Sequence, residues 1–330
     1  MSKISEIKDC KYICSLGLIQ ACNQENNIIK YDAHVNETHD FSNIENIAEG
    51  SCVVIKSDMI IEFIQRVLPR IRQPFILFTA NSDSIIPTSF LDKLTFYQTI
   101  ENPKIIHWYS VNCLENLHKK LTQVPIGMNF HCSTQENSEN RKMWHDEVLT
   151  PQQQEAIMDN IRQKAPPFYE RELTCYSNFH FNTYAEFGNP RERAIRDIPK
   201  ELVFYEPTYA KRIITWENQA KHAFVLSPLG HGLDCHRTWE ALVLGCIVVV
   251  ETSPLDSLYR DLPVLILQNW ADLNEELLRK TVEDFKTRSF GGCFRSDSGE
   301  ISPNNEGQSP KLFDYERITL QYWHHVITGK

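Results

Sequence analysis

The sequence predicts an α/β fold with two parallel sheets, and three observations lead to it. Short apolar runs rich in β-branched residues, such as 224–226 and 246–250, have the length and composition of strands buried on both faces. Segments with apolar residues at helical spacing lie between such runs, so strands and helices alternate. A length of 330 residues is long for one domain and comfortable for two. We therefore expect two domains, each with a parallel sheet wound with helices.

The amino-terminal half contains four apolar runs of strand length. They lie at residues 52–55, 75–79, 105–109 and 124–128. A segment with helical periodicity, residues 59–71, separates the first two, and an amphipathic segment at 113–121 separates the last two. Alternation of this kind predicts a parallel sheet wound with helices.

A polar stretch at residues 132–167, with a helical portion at 152–164, is interpreted as the end of the first domain and a hinge. We therefore place the first domain at residues 1–168 and the second at 169–310. Strands of the second domain are predicted at 173–179, 202–205, 224–226, 246–250 and 263–267, and helices at 191–196 and 275–287. The turn-forming residues at 290–310 predict a loop. Residues 311–330 regain helical periodicity and are predicted to form a terminal helix.

Composition excludes several function classes. The chain has 34 Lys and Arg against 43 Asp and Glu, without a basic block, so nucleic acid is not an expected partner. No run of about 18 apolar residues predicts a membrane span, and the amino terminus lacks the unbroken apolar core of a signal peptide. The 10 cysteines include no CxxC pair and are interpreted as reduced thiols. We expect a soluble, cytoplasmic protein of open oligomeric state.

The segment 224–251 reads as a strand, a glycine-bearing loop, a short helix and a second strand. Gly230 and Gly232 allow a tight turn and a close approach to a ligand, and Asp234 lies where an N-cap is expected. Gly245 suits the position that ends the helix. Free amides and the positive end of the helix dipole attract an anion, so this loop is a predicted phosphate or diphosphate site. The alternative is that the glycines serve backbone geometry alone.

Arg237 and Glu240 are three residues apart and therefore lie on one face of the short helix. Arg237 suits a phosphate because its guanidinium is a planar group with several donors, and Glu240 suits the two hydroxyls of a ribose. A solvated ion pair is the alternative, but the apolar residues around them disfavour it. His231 in the glycine loop is predicted to contact a phosphate or a donor sugar. Ser227 and Thr238 complete the predicted binding residues of this segment.

The stretch SPLGHGLDCHRTWEALVLGCIVVV, residues 227–250, resembles the nucleotide-sugar-binding segment of exostosin-like glycosyltransferases, including versions from large DNA viruses and algae. The specific part is the spacing of glycine, Arg237, Glu240, Ala241 and Gly245. The resemblance is clearest over residues 175–278, about a third of the chain. Val248 departs from it, since many relatives carry proline there.

The resemblance implies a GT-B architecture, in which two Rossmann-like domains face each other across a central cleft. It also allows the terminal helix at 311–330 to cross back to the first domain. It also implies a carboxyl-terminal domain that holds a nucleoside diphosphate sugar without a divalent metal. No Asp-x-Asp triplet is present, so manganese is not expected as a cofactor. A zinc site at His231, Cys235, His236 and Cys246 is the alternative, but the usual ligand spacing is absent.

Further candidates follow other predicted strands. Ser177, Asn178, Asn182, Arg191 and Arg193 are the candidates for contacting the diphosphate, with Arg193 preferred over Arg191. Asp83, which follows the strand at 75–79, is the predicted catalytic base for the acceptor hydroxyl. His131 and Asn129 are its rivals. Each has an alternative, because Asp83 also suits a turn and a lone histidine is more often a surface residue.

These inferences together predict a glycosyltransferase that moves a sugar from a UDP-sugar to a hydroxyl of a carbohydrate acceptor, with inversion. Xylose, galactose and glucuronic acid remain open as the sugar. A sugar-nucleotide epimerase and a non-catalytic nucleotide-sugar or carbohydrate binding protein are the alternatives. A virus-encoded enzyme acting in a host cell would fit this prediction.

Overall fold

The computed structural model describes residues 7–23, 28–31, 37–130, 149–179, 189–207, 210–289 and 312–329. The strands are β1 (Ile29–Tyr31), β2 (Glu37–His39), β3 (Cys52–Lys56), β4 (Phe75–Ala80), β5 (Ile105–Ser110), β6 (Leu121–Gln123), β7 (Glu172–Ser177), β8 (Val203–Tyr205), β9 (His222–Leu226), β10 (Ile247–Glu251) and β11 (Val264–Leu267). The helices are α1 (Ser15–Asn23), α2 (Ile60–Glu62), α3 (Lys93–Ile100), α4 (Pro151–Lys164), α5 (Pro190–Asp197), α6 (Arg212–Gln219), α7 (His236–Val243), α8 (Glu275–Thr287) and α9 (Leu320–Thr328).

The amino-terminal sheet has four parallel strands in the order β3-β4-β5-β6. Three of the predicted strands are confirmed within one or two residues. The fourth prediction, residues 124–128, is wrong, because the strand that pairs with β5 is Leu121–Gln123. The helix predicted within 113–121 is only a short 3-10 turn at Glu115–Leu117. The segment after β6 instead bonds side chains of the carboxyl-terminal half, next to the functional site.

The carboxyl-terminal sheet has five parallel strands in the order β11-β10-β9-β7-β8. If the five strands are numbered 1 to 5 in chain order, the sheet read from β8 to β11 has the order 2-1-3-4-5. This is the order of a doubly wound sheet. The direction of winding reverses between β7 and β9, and in such sheets ligands bind beyond the carboxyl ends of the strands at this point. The α/β class with two parallel sheets is thus confirmed, and the sheet topology indicates where a site should lie.

Both sheets are buried on both faces, as parallel sheets require. On β4, Leu77 packs into one core cluster and Phe78 into another. On β9, Phe224 and Val225 divide in the same way. The cluster that contains Phe78 and Val225 is shared by the two halves of the chain. The inner faces of the two sheets therefore contribute to one continuous core.

Both terminal segments pack on this shared core. The Tyr109 hydroxyl of β5 donates to the Val326 carbonyl of α9 at 2.9 Å, and the Ile13 amide donates to the Ile318 carbonyl at 2.9 Å. The carboxylate of Glu155 on α4 accepts the Tyr12 amide at 2.8 Å. The domain boundaries inferred from the sequence stay a prediction. The loop predicted at 290–310 lies outside the described residues, and no described helix is long and apolar enough to cross a membrane.

Candidate functional site

A cavity of about 550 Å³ opens at the carboxyl ends of β7, β8 and β9, where the winding of the second sheet reverses. Its walls come from both halves of the chain. Asp83, Ile126 and Asn129 line it from loops that follow strands of the first sheet. The glycine loop and the start of α7 line it from the carboxyl-terminal half. The volume lies within the range of small-molecule sites.

The glycine loop leads into α7, whose first residue is His236. The N-cap is Cys235, and no side chain caps the helix. The prediction that Asp234 is the N-cap is wrong: its carboxylate accepts hydrogen bonds from the Ile126 amide and the Trp239 indole instead. The Thr238 amide donates to the Cys235 carbonyl oxygen at 3.0 Å, and the cap side chain takes no part at this helix end, which carries partial positive charge.

The other end of α7 behaves as predicted. Gly245 has a φ of 74°, in the left-handed region that favours glycine. The Gly245 amide donates to the Leu242 carbonyl at 3.0 Å, and the Cys246 amide donates to the Ala241 carbonyl at 2.9 Å. This pair of bonds is a Schellman motif, which satisfies the last carbonyls and turns the chain into β10.

Other parts of the protein pack closely against both loop glycines. A Cβ built on Gly232 would lie 2.6 Å from Nδ2 of Asn112 and 3.0 Å from the Asp83 carbonyl oxygen. A Cβ on Gly230 would lie 3.2 Å from both Arg191 Nη2 and Cys235 Sγ. Gly232 thus allows the loop to touch the first sheet, and Gly230 allows it to pass beside an arginine.

Two guanidinium groups lie together at this end of the cavity. Arg237 donates from Nη2 to the Pro228 carbonyl at 3.0 Å and lies over the Phe179 ring, while its buried Nε has no hydrogen-bond partner. Burial lowers the pKa of Arg191, and repulsion from Arg237 lowers it further. Two cations held close enough to repel each other favour an anion between them.

Glu240 lies one turn further along α7 and is bonded to α6. One carboxylate oxygen accepts from Arg212, and the other accepts from the Trp216 indole at 3.1 Å. Arg212 is 3% exposed and also donates to the Asn129 carbonyl oxygen at 2.6 Å. A carboxylate has about four lone-pair positions, so Glu240 retains acceptor capacity toward the cavity that it lines.

Polar atoms without partners concentrate in this cavity. The Ser177 hydroxyl oxygen, Gln219 Oε1 and Arg237 Nε are all buried without a hydrogen bond, and all three residues line it. Ser177 and Gln219 are each 1% exposed. Because a buried polar atom without a partner is costly, these three atoms are available to hydrogen-bond a polar ligand.

His236, also on the cavity wall, is a neutral imidazole. Burial lowers its pKa to about 4, and Arg212 and Arg237 add to the effect. Its Nδ1 lies 2.7 Å from the Gly127 carbonyl oxygen, so the proton of the neutral ring is on Nδ1. In the zinc alternative, Nδ1 of His236 is not available as a ligand, because it is hydrogen-bonded to the Gly127 carbonyl. Within the described ranges, no three His, Cys, Asp or Glu side chains are grouped as a metal site.

Eight of the predicted site residues line the cavity. They are Asp83, Ser177, Asn178, Gly230, His231, Gly232, Arg237 and Glu240. Ser227 and Thr238 are buried behind the loop, where their hydroxyl oxygens are 2.8 Å apart. Arg193 does not line the cavity: its guanidinium pairs with Glu251 at 2.7 Å, and Arg191 takes the position at the wall instead. His131 and Asn182 lie outside the described residues.

Four residues of the cavity were missed or ranked low by sequence reasoning: Arg191, Arg212, Gln219 and His236. Arg212 and Gln219 belong to α6, which the sequence analysis did not predict, although RIITWENQ has apolar residues at helical spacing. His236 is adjacent to Arg237 in the motif and was considered only as a zinc ligand. For Arg191 the available signal was Pro190, because a proline favours the first position of a helix and so marks where α5 begins.

A scan of protein-family models and a search of curated proteins give no match to this chain. The resemblance to exostosin-like glycosyltransferases therefore stays a prediction from residues 227–250.

Proposed function

We propose that this protein is a glycosyltransferase of GT-B architecture that moves a sugar from a UDP-sugar to a hydroxyl of a carbohydrate acceptor, with inversion. One observation carries the proposal. A single cavity contains the uncapped start of α7, two guanidinium groups and, one turn along the same helix, a carboxylate. These are the groups that a nucleoside diphosphate needs.

The diphosphate would lie against the start of α7. Its oxygens would accept from the first amides of the helix and from Arg237 and Arg191, which relieves the repulsion between the two guanidiniums. Arg237 Nε, buried without a partner, would gain an acceptor. The same groups stabilise the charge that develops on the diphosphate as it leaves, so no divalent metal is needed in this proposal.

The ribose would lie beside Glu240. One helical turn separates this residue from Arg237, about 5 Å along the axis, which is the scale of the step from a phosphate to a ribose ring. The remaining lone pairs of the carboxylate would accept from the ribose hydroxyls. Arg212 and Trp216 hold the carboxylate in place for this contact.

In the transfer step, the acceptor hydroxyl oxygen forms a bond to the anomeric carbon while the bond from that carbon to the diphosphate oxygen breaks. The electron pair of the broken bond leaves with UDP. The hydroxyl proton moves to Asp83, which lines the cavity from the opposite half of the chain. Attack from the face opposite the leaving group inverts the configuration.

Calorimetric titration with UDP tests the nucleotide site. Arg237→Met should weaken UDP binding about 10-fold to 100-fold, the loss of a charge-assisted contact. Arg193→Met is the matched control, because this arginine pairs with Glu251 outside the cavity, and it should leave the affinity unchanged. Equal affinities in wild type and Arg237→Met would refute the proposed diphosphate site.

Turnover separates the enzyme from its alternatives. A panel of UDP-xylose, UDP-galactose and UDP-glucuronic acid should first be ranked by thermal stabilisation of the protein, because a ligand that binds the native state raises Tm. The best donor is then incubated with and without carbohydrate acceptors. Release of UDP only with an acceptor supports the transferase, conversion of the donor alone identifies an epimerase, and binding without turnover identifies a binding protein.

A further inference from the structure

One wall of the cavity is the face of α6 that carries Thr215 and Gln219, and none of the assignments above uses it. The two residues are four positions apart, so their side chains share one face of the helix. Both line the cavity, and both are nearly inaccessible, at 7% and 1% exposure. A buried, polar helix face that borders a cavity requires an explanation.

Gln219 is the most informative residue of this wall. Its side-chain Oε1 is buried without a hydrogen-bond partner. Its backbone carbonyl accepts from the thiol of Cys246, the residue before β10, at 3.5 Å. The protein thus keeps a carboxamide at a position where an apolar side chain of similar size would avoid the cost of burial. A ligand with an N–H group would satisfy this oxygen.

The position of α6 places this carboxamide next to the proposed ribose site. Trp216, on the turn between Thr215 and Gln219, donates its indole N–H to Glu240 at 3.1 Å. Arg237 at the start of α7, then Glu240, then the α6 face therefore follow one another along the cavity wall. This order matches the order of diphosphate, ribose and base in a nucleotide.

We propose that the Gln219 carboxamide hydrogen-bonds the edge of the nucleobase and makes α6 the base-recognition element of the site. Oε1 accepts from the N3–H of uracil, and the amide N–H donates to a neighbouring carbonyl oxygen of the ring. The inference rests on the proposed function, because it takes the bound ligand to be a UDP-sugar.

Gln219→Met tests the assignment, since Met is close in length and flexibility and lacks the amide. We expect UDP to bind about tenfold more weakly, as for the loss of two neutral hydrogen bonds. Pyrophosphate and ribose 5-phosphate should bind as they do to wild type, because neither carries a base. Gln65→Met, at an exposed position, is the matched control and should change none of these affinities.

Thermal unfolding of the ligand-free variants provides the second readout. Because Oε1 has no partner in the free protein, Gln219→Met should keep or raise Tm while it weakens UDP binding. A residue with a purely structural role would lower Tm instead. Gln219→Asn, which withdraws the amide by one methylene, should repeat the selective loss of UDP affinity.

Two results would overturn the assignment: unchanged UDP affinity in both Gln219 variants, or an equal loss of affinity for pyrophosphate. The proposed function fails in a different way, through UDP that does not bind to wild type or binds independently of Arg237. Dependence on Arg237 without dependence on Gln219 would therefore reject the base assignment and leave the diphosphate site standing.

Discussion

The carboxylate of Asp234 accepts a hydrogen bond from the Ile126 backbone amide at 2.8 Å, across 108 residues of sequence. Asp234 is 3% exposed, and the same carboxylate accepts from the Cys235 amide at 2.8 Å and from the Trp239 indole at 2.9 Å. In the opposite direction, the Asp234 amide donates to Asn112 at 2.9 Å. A residue of the glycine-loop motif therefore fastens that loop to the amino-terminal half.

The segment 126–129 is held at three points by side chains of the carboxyl-terminal half. These contacts are Asp234 to the Ile126 amide, His236 to the Gly127 carbonyl and Arg212 to the Asn129 carbonyl. On its other side the segment bonds Ile13 and Ser15 of the amino-terminal segment. Its backbone is thus shared among three parts of the chain, and this arrangement fixes Asn129 at the cavity.

We predict that Asp234→Asn lowers the free energy of unfolding by about 2–4 kcal/mol. Both carboxylate oxygens accept hydrogen bonds, so either orientation of the amide would direct an N–H group at a donor. Denaturant unfolding measures the change. Asp284→Asn, at an exposed position on α8, is the control and should stay near wild type. An Asp234→Asn protein as stable as this control would show that the contact contributes little.

His236 predicts a pH dependence. Its pKa is lowered from 6.5 to about 4 by burial, so between these values the unfolded chain binds a proton that the folded protein does not. The contribution of the neutral His236 to the free energy of unfolding is complete above pH 6.5 and is lost as the pH falls toward 4. His236→Asn keeps a donor for the Gly127 carbonyl and removes the titration. When the pH is lowered from 7 to 4, the free energy of unfolding of wild type should therefore fall by about 3 kcal/mol more than that of the variant.

That measurement consists of denaturant unfolding of both proteins at several pH values. Asp234 and Glu155, whose pKa values burial raises to about 7 and about 6, titrate in the same window in both proteins and cancel in the difference. A difference that does not change with pH would mean that His236 titrates alike in the folded and unfolded states.

The two loop glycines should respond differently to alanine. Gly232→Ala places a methyl group 2.6 Å from Asn112 Nδ2 and 3.0 Å from a backbone oxygen, so we expect a loss of about 1–3 kcal/mol in stability. Gly230→Ala meets only the ends of the Arg191 and Cys235 side chains, at 3.2 Å, and should unfold close to wild type. It should nevertheless weaken UDP binding, because Arg191 must move. Equal Tm values for the two variants would contradict this assignment.

Much of the second sheet could be predicted because its strands are continuous apolar runs that a buried parallel sheet requires. The end of α7 was also predictable, since the left-handed conformation at Gly245 depends on the local chain alone. The strand β6 was not, because it pairs over only three residues, whereas the more apolar run after it looked like a strand. That run is apolar because it packs in the shared core, where Val124 and Met128 are buried.

Residues of the candidate site could be assigned from the sequence only where neighbouring residues along the chain determine the position of the side chain. The glycine loop, Arg237 and Glu240 line one cavity, because their spacing at the start of one helix directs them to the same side. Their role in binding stays a prediction. The role of Asp234 could not be predicted in the same way, because its partner Ile126 is distant in sequence. Arg212 was likewise out of reach, since its significance arises from contacts with Glu240 and Asn129 that only the assembled fold provides.

The buried ion pair of Arg212 and Glu240 predicts strong coupling in a double-mutant cycle. Their side chains are 3% and 12% exposed, so Arg212→Met or Glu240→Gln alone leaves one charged group without its counterion and should cost about 3–5 kcal/mol. The double variant removes both charges and should cost clearly less than the sum. The exposed pair of Arg279 and Glu275 is the control, with coupling near zero. Additive losses at Arg212 and Glu240 would show that the pair is not coupled.

Asp83→Asn tests the predicted base. Asp83 lines the cavity from the amino-terminal half and is exposed, so its replacement should leave both the stability and the affinity for UDP unchanged. Turnover should fall about 10²-fold to 10⁴-fold, the usual contribution of a general base. Initial rates with saturating UDP-sugar and acceptor give kcat, and UDP titration of the same preparation shows that the nucleotide site is intact.

The matched control is Asp58→Asn. Asp58 is a nearby carboxylate on the same half of the chain that pairs with Lys56, and its replacement should keep full turnover. Full activity of Asp83→Asn would assign the base to another group, and the first to examine would be His131, the rival from the sequence analysis, because an imidazole can accept the hydroxyl proton at neutral pH.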